Sequence, residues 1–177
     1  MKNLIKPIIV LTVIAFVCTL SLAAVNSVTK DIIAKSAAEK AAVTMQELIP
    51  DEQGFEKVEV DEELLKAYNV SGVSAASSGA GYIVEVASSG YGGEISMMIA
   101  FSTKGEVMGV KVLSHEETNG IGTRVVESEE FLSAFVGKNA AQGDGIDAVA
   151  GASVSSGAVV NGVNSACNLF AKAILNS

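Results

Sequence analysis

The chain has no tryptophan, two prolines, two cysteines and one histidine in 177 residues. Basic residues are also short, with 12 Lys plus Arg against 20 Asp plus Glu and a formal net charge of −8. Each scarcity excludes something. Two prolines without a Gly-X-Y period exclude a collagen-like fibre. Cys18 and Cys167, far apart and outside any CxxC, do not make a disulfide framework or a thiolate zinc site. A lone His115 cannot build a multi-histidine metal centre. An acidic chain with 5% aromatic residues argues against nucleic acid as a partner, because phosphates are met by Lys and Arg and bases by stacking. What remains is apolar: 49% of residues are hydrophobic and 18% charged, which is not the composition of a disordered chain.

Much of that apolar content is at the N-terminus. Residues 7–29 carry no charge, and Ile8–Ala24, IIVLTVIAFVCTLSLAA, is almost continuously apolar. At 1.5 Å per residue this centre spans about 26 Å, and with its flanks it is long enough to cross a bilayer as a single helix. Lys2 and Lys6 precede it, so the positive-inside rule places the N-terminus in the cytoplasm and the following domain outside the cell membrane. The competing reading is a cleaved signal peptide ending near Leu22-Ala23-Ala24. The run exceeds an ordinary signal core of about 7–15 residues, which favours the anchor.

The pattern then predicts an α+β domain. Thr29–Ile49 reads as a helical stalk, with Ile33, Ala37, Ala41 and Met45 at four-residue steps and Pro50 closing it. The organisation expected is an anchor over 1–29, a stalk over 30–50 and an extracytoplasmic domain over 51–177. Lys57–Val60 is a possible short strand, and Ser71–Ala80 a small-residue loop or strand approach. Gly81–Ala87, Glu94–Phe101 and Glu106–Leu113 alternate or run apolar as strands, and the short connections SSGYGG and STKG suggest an antiparallel meander. Ser128 can cap a helix over Glu129–Val136, and Asn139–Gly145 reads as a turn. A last amphipathic helix from about Ser156 to Leu175 presents Val159, Val163, Ala166, Cys167, Phe170 and Ile174 on one face.

The most distinctive segment precedes that helix. Asp147–Ser156 reads DAVAGASVSS, small and rich in hydroxyls. Backbone amides at a helix N-terminus favour an anion, so a phosphate near Ser153, Ser155 and Ser156 is one reading. Serine caps on an ordinary loop are the other, and spacing alone leaves both open. The segment matches neither the Walker A loop nor G-x-G-x-x-G.

Asp147–Ser153 resembles the D-x-x-(S/T)-G-A-(T/S) flavinylation motif of FMN-binding domains. Gly90–Ile95, GYGGEI, resembles that family's GYGG-x-I turn, and Ser114–Gly122, SHEETNGIG, its H-x-E-T-P-G-L-G loop. With its N-terminal apolar run, the whole chain is similar to the G subunits of Rnf-type ion-translocating ferredoxin:NAD oxidoreductases, and to the related C subunits of sodium-translocating NADH:quinone reductases. Three departures stand: Ala150 replaces the hydroxyl residue before the glycine, Ser153 the usual Thr, and Asn119 the Pro.

The resemblance implies FMN esterified through its phosphate to Ser153 by a flavin transferase that consumes FAD. It implies a ring beside Glu117–Gly122, with Glu117, Thr118 and Gly120 at its polar edge. Gly151, Ala152, Ser155 and Ser156 would surround the phosphate, and Asp147 would belong to the transferase recognition sequence. The protein would be a redox relay and no standalone enzyme. Its partners would be the membrane and iron–sulfur subunits of a complex that pumps sodium ions or protons. Alternatives are a quinone-reductase-type relay, an exported flavin reductase and a non-redox anchored module. His115 beside Glu116 and Glu117 has no nucleophile spacing and reads as a loop histidine. Tyr91 reads equally as a ring-stacking or a sheet-packing residue, and Met97 and Met98 as core and flank.

Overall fold

The computed structural model describes residues 2–50, 54–139 and 148–175, with side chains from Lys6 onward. Helix α1 spans Lys2–Leu48. Residues 1–41 and 42–177 form two compact units.

In the first unit, Ile8 to Ile33 expose their large apolar side chains all around the helix, an arrangement suited to lipid and not to water. The hydroxyls within it are satisfied locally: Thr12 donates to the Ile8 carbonyl at 2.9 Å, Thr19 to Ala15 at 2.8 Å and Ser21 to Val17 at 2.9 Å. Such back-bonding pairs these hydroxyl donors in a hydrocarbon medium. The helix is long and apolar enough to cross a membrane.

The second unit is an α+β domain. Strands β1 (Phe55–Val58), β2 (Val70–Ala76), β3 (Tyr82–Ser89), β4 (Glu94–Phe101) and β5 (Val107–His115) form one antiparallel meander in chain order. Helix α2 (Glu62–Ala67) joins β1 to β2 and is capped by the Asp61 carboxylate. Two short helices, α3 (Thr123–Val126) and α4 (Glu129–Ser133), follow β5. Helix α5 (Ser153–Phe170) runs into a π-helical turn at Ala171–Leu175.

Register explains the continuous apolar run of β4. The rows Val84–Ile99–Val110 and Val86–Met97–Val112 share one face, and Ile83–Ala100–Gly109 the other. Both faces are covered. On the first, α5 lays Phe170 on Phe101, with ring centroids 4.8 Å apart, and edge-on to Tyr82 at 5.3 Å. On the second, the last turn of α1 buries Thr44, Leu48 and Ile49, with Leu48 against Gly109 and Ile49 against Gly81. Met97 and Met98 therefore both lie in the core, on opposite faces of β4.

Some expectations shift. Ser71–Ala80 is mostly strand β2, with its turn confined to the last residues. Its small side chains hide its period, and pairing on both sides supplies what propensity does not. The first strand lies at 55–58 instead of 57–60, because Asp61 starts a helix there. Ser128 does cap α4, accepting from the Phe131 amide at 3.2 Å. The turn expected over Asn139–Gly145 falls almost wholly outside the described residues. Helix α5 begins at Ser153, and of its expected inner face all but Ile174 are buried. Ile174 packs partly buried against the core.

Two outcomes follow from α5. Replacing Phe170 by Ala removes a ring buried between two others and should cost about 3–5 kcal/mol. Tyrosine fluorescence during urea unfolding of the detergent-solubilised chain reads this, with Tyr82 as a local reporter. Burial also pushes the Cys167 thiol up from 9.0 to about 11. The unfolded thiol therefore ionises first as pH rises, so its stabilising share is complete below about pH 9 and lost between 9 and 11. Between pH 8 and 10.5 the parent should lose more stability than Cys167→Ala; equal losses would contradict this.

Candidate functional site

The meander decides which loops meet. Strands β3 and β5 run the same way, so the β3–β4 turn and the loop leaving β5 lie at one end of the sheet. Helix α5 reaches the same end. Its C-terminal Phe170 sits over Tyr82 and Phe101, at the opposite end, and its middle passes Met97 at Gly162. An 18-residue helix and an eight-residue strand are both about 27 Å long, so the first turn of α5 arrives beside the β3–β4 turn.

The turn at 90–93 is closed by the Gly90 amide donating to the Gly93 carbonyl at 2.8 Å. It is held from below by Glu117. That side chain is buried, and its carboxylate accepts from the amides of Tyr91 at 2.8 Å and Gly92 at 3.2 Å. The Glu117 amide in turn donates to His115 Nδ1 at 3.3 Å. The approach needs glycine. A Cβ on Gly90 or on Gly122 would collide with the Glu117 carboxylate, and one on Gly92 with the Glu116 carbonyl.

The following loop folds on Thr118, whose carbonyl accepts from the amides of Ile121 at 3.2 Å and Gly122 at 3.1 Å. Gly120 has φ of +79° and donates its amide to Thr123 Oγ1 at 2.9 Å. These bonds turn Ile121 outward.

The third wall is the entry to α5. Gly151, at φ +80°, makes a reversal into the helix that a side chain would strain; the space around it is open. Ser156 Oγ accepts from the Val149 amide at 3.0 Å and donates to the Ala152 carbonyl at 3.0 Å, stapling this reversal. Ser155 and Ser156 are both 1% exposed, whereas Ser153, the first residue of α5, is open to solvent. Of the three serines considered, one presents its hydroxyl outward.

The walls border an open cleft of about 390 Å³, lined by Tyr91, Ile121 and residues 151–155. Tyr91 is 68%, Val154 56% and Ile121 48% exposed, an unusual grouping of apolar surface around one hydroxyl. A planar aromatic ring system with a phosphate fits this donor set: apolar side chains for the ring faces, a helix N-terminus for the anion and a free hydroxyl within the wall. Among the described residues no group of three His, Cys, Asp or Glu side chains is placed to hold a metal.

The structure distributes the nominated residues unevenly. Gly151, Ala152, Ser153 and Ser155 line the cavity. Glu117, Thr118, Gly120 and Ser156 make the hydrogen bonds that shape its walls. Asp147 lies outside the described residues. Ile121 and Val154 were not singled out from sequence. Each is an apolar residue in a polar, glycine- or serine-rich context, and that contrast was the available signal.

A sheet whose one end gathers these three segments around an anion-compatible helix start defines the class: residues 90–168 match the FMN-binding domain, and residues 1–48 the RnfG N-terminal region. Relatives extend this. The chain is 35% identical over 150 residues to the G subunit of the ion-translocating oxidoreductase complex of Shewanella baltica, covering 78% of this chain and 71% of the relative. It is 31% identical over 178 residues to the protein of the same name from Methanosarcina acetivorans, covering 93% of each. It is also 29% identical over 165 residues to the G subunit of the proton-translocating ferredoxin:NAD(+) oxidoreductase complex of Clostridium ljungdahlii, covering 88% and 85%. The chain belongs to the G-subunit family of Rnf ion-translocating oxidoreductase complexes.

The Glu117 clasp can be tested by a mutant cycle. Gly90→Ala should destabilise the parent by about 1–3 kcal/mol through overpacking. Glu117→Ala should cost about 1–3 kcal/mol by stranding two amides. The double variant should fall short of their sum by about 1 kcal/mol, because Glu117 is what the new methyl strikes. Thermal unfolding of the four proteins measures it, and strict additivity would show that the two residues do not meet.

Proposed function

We propose that this chain is a membrane-anchored electron-transfer subunit carrying FMN in phosphoester linkage to Ser153. It relays electrons between cofactors of neighbouring subunits in an ion-translocating ferredoxin:NAD oxidoreductase. The supporting observation is the exposed Ser153 hydroxyl in the wall of the cavity where the three segments meet, while Ser155 and Ser156 are buried. In attachment, Ser153 Oγ forms a bond to the FMN phosphorus of FAD. The bond from that phosphorus to the AMP oxygen breaks, AMP leaves and the hydroxyl proton is released. A flavin transferase catalyses this step, and Asp147 belongs to the sequence that it recognises.

The remaining residues hold and orient. The amides of the first turn of α5 favour the phosphodiester anion, and Gly151 keeps the approach free of a side chain. Tyr91, Ile121 and Val154 offer apolar cover to the ring, and Glu117 fixes the backbone that carries Tyr91. Bound FMN supplies the one-electron redox chemistry. The anchor is α1, with Lys2 and Lys6 at the cytoplasmic side and the domain on the opposite face of the membrane.

Intact mass of the denatured full chain, co-produced with an active flavin transferase, tests this reading. The parent should gain one FMN less one water. Ser155→Ala should retain the gain, and Ser153→Ala should lose it. A parent without the gain, or a Ser153→Ala variant that keeps it, removes Ser153 as the acceptor.

A further inference from the structure

Away from the flavin end, a second groove of about 420 Å³ lies along β5. β5 is the last strand of the sheet, with β4 on one side and no further strand on the other among the described residues. Residues 108–112 form the groove floor, α4 and the turn after it one wall, and Glu47 and Leu48 of α1 the other. Register slips at both ends of this stretch, but Gly109 to Val112 pair with β4 without interruption. That leaves four residues of regular edge.

The edge already receives backbone at its beginning. The Val107 amide donates to the Lys138 carbonyl at 2.8 Å, and the Gly137 amide to the Val107 carbonyl at 2.8 Å. Beyond this point no backbone among the described residues pairs with this edge over Gly109 to Val112, and Met108 at 40% and Val136 at 50% exposure lie along the groove. Its rim is acidic. Glu127 and Glu129 stand on the α4 side and Glu47 opposite, while Lys111 is held by Glu47 at 3.3 Å. Glu127 faces His115 Nε2 at 4.0 Å and is otherwise largely in solvent. The opposite edge of the sheet differs, since β1 is only four residues long and carries both Glu56 and Lys57.

We propose that the β5 edge between Gly109 and Val112 binds, by strand addition, a short extended segment of a partner polypeptide that alternates apolar and basic side chains. Backbone pairing supplies affinity, as in other strand-addition complexes, and alternate side chains read the apolar floor and the acidic rim. A second copy of this chain is disfavoured as occupant, because it would set three glutamates against three.

The test uses the full chain in detergent micelles and fluorescein-labelled VKVKVK-amide, followed by anisotropy. Saturable binding is expected. Methylating alternate backbone nitrogens, which keeps every charge and side chain, should weaken it at least tenfold, and EVEVEV-amide should not bind. Glu127→Gln with Glu129→Gln, both at exposed positions, should weaken it about two- to fivefold per charge. Photocrosslinks from the peptide should fall within residues 108–112. Equal binding of the N-methylated peptide, no response to the glutamine pair, or crosslinks elsewhere would overturn the proposal. So would a dimer crosslinked β5 to β5, which would make a second copy the occupant. None of these readouts involves flavin, so they are independent of Ser153.

Discussion

The Glu117 carboxylate, buried and accepting the amides of Tyr91 and Gly92, ties together two loops that the sheet alone would only bring near each other. A carboxylate out of water is costly unless its oxygens are met, and charge-assisted bonds from two amides meet them. The geometry leaves little freedom. Gly90 and Gly122 both face this carboxylate, so each must lack a side chain for the clasp to close. Gly90 of GYGG and Gly122 of NGIG are therefore consequences of one buried carboxylate. Tyr91 and Ile121 project where they do because their backbones are fixed from beneath.

The second constraint is the length match between α5 and the sheet. Stacking of Phe170 on Phe101 sets one end of the helix, and close passage of Gly162 over Met97 sets its height. With these fixed, Ser153 has one place to be, at the sheet end where the clasped loops lie. Hydrophobic packing at the far end thus positions a hydroxyl about 25 Å away, through a rigid element and not through local contacts.

Much of this was legible in the sequence because its signals were strong and local. The apolar N-terminal run, the three strands from Tyr82 to Leu113, the Ser128 cap and the buried stripe of α5 each follow from period or capping chemistry. What escaped depended on neighbours. β2 has small residues with no clear alternation and is a strand because β1 and β3 flank it. Helix α3 is four residues long and is set by the Thr118 turn before it. At the site, spacing alone left Ser153, Ser155 and Ser156 as equivalent hydroxyls, and only the resemblance set Ser153 apart. In the structure, the helical phase and the Val149–Ser156 staple leave Ser153 exposed and Ser155 and Ser156 buried.

The shape of the cavity bears on why a covalent linkage suits it. Pockets that retain a cofactor without a bond bury most of its surface. Here Tyr91 and Val154 are more than half exposed and Ile121 nearly half, so the walls offer one side of a cleft instead of an enclosure. Such a site would release a free flavin readily. On the proposed reading, an ester at Ser153 keeps the local concentration of ring high whatever the intrinsic affinity, as any short tether does. The walls then need only orient the ring, and one of its edges can stay open to a neighbouring redox centre. On the same proposed reading, openness, which would be a defect in a binding protein, becomes a condition for relaying electrons between subunits.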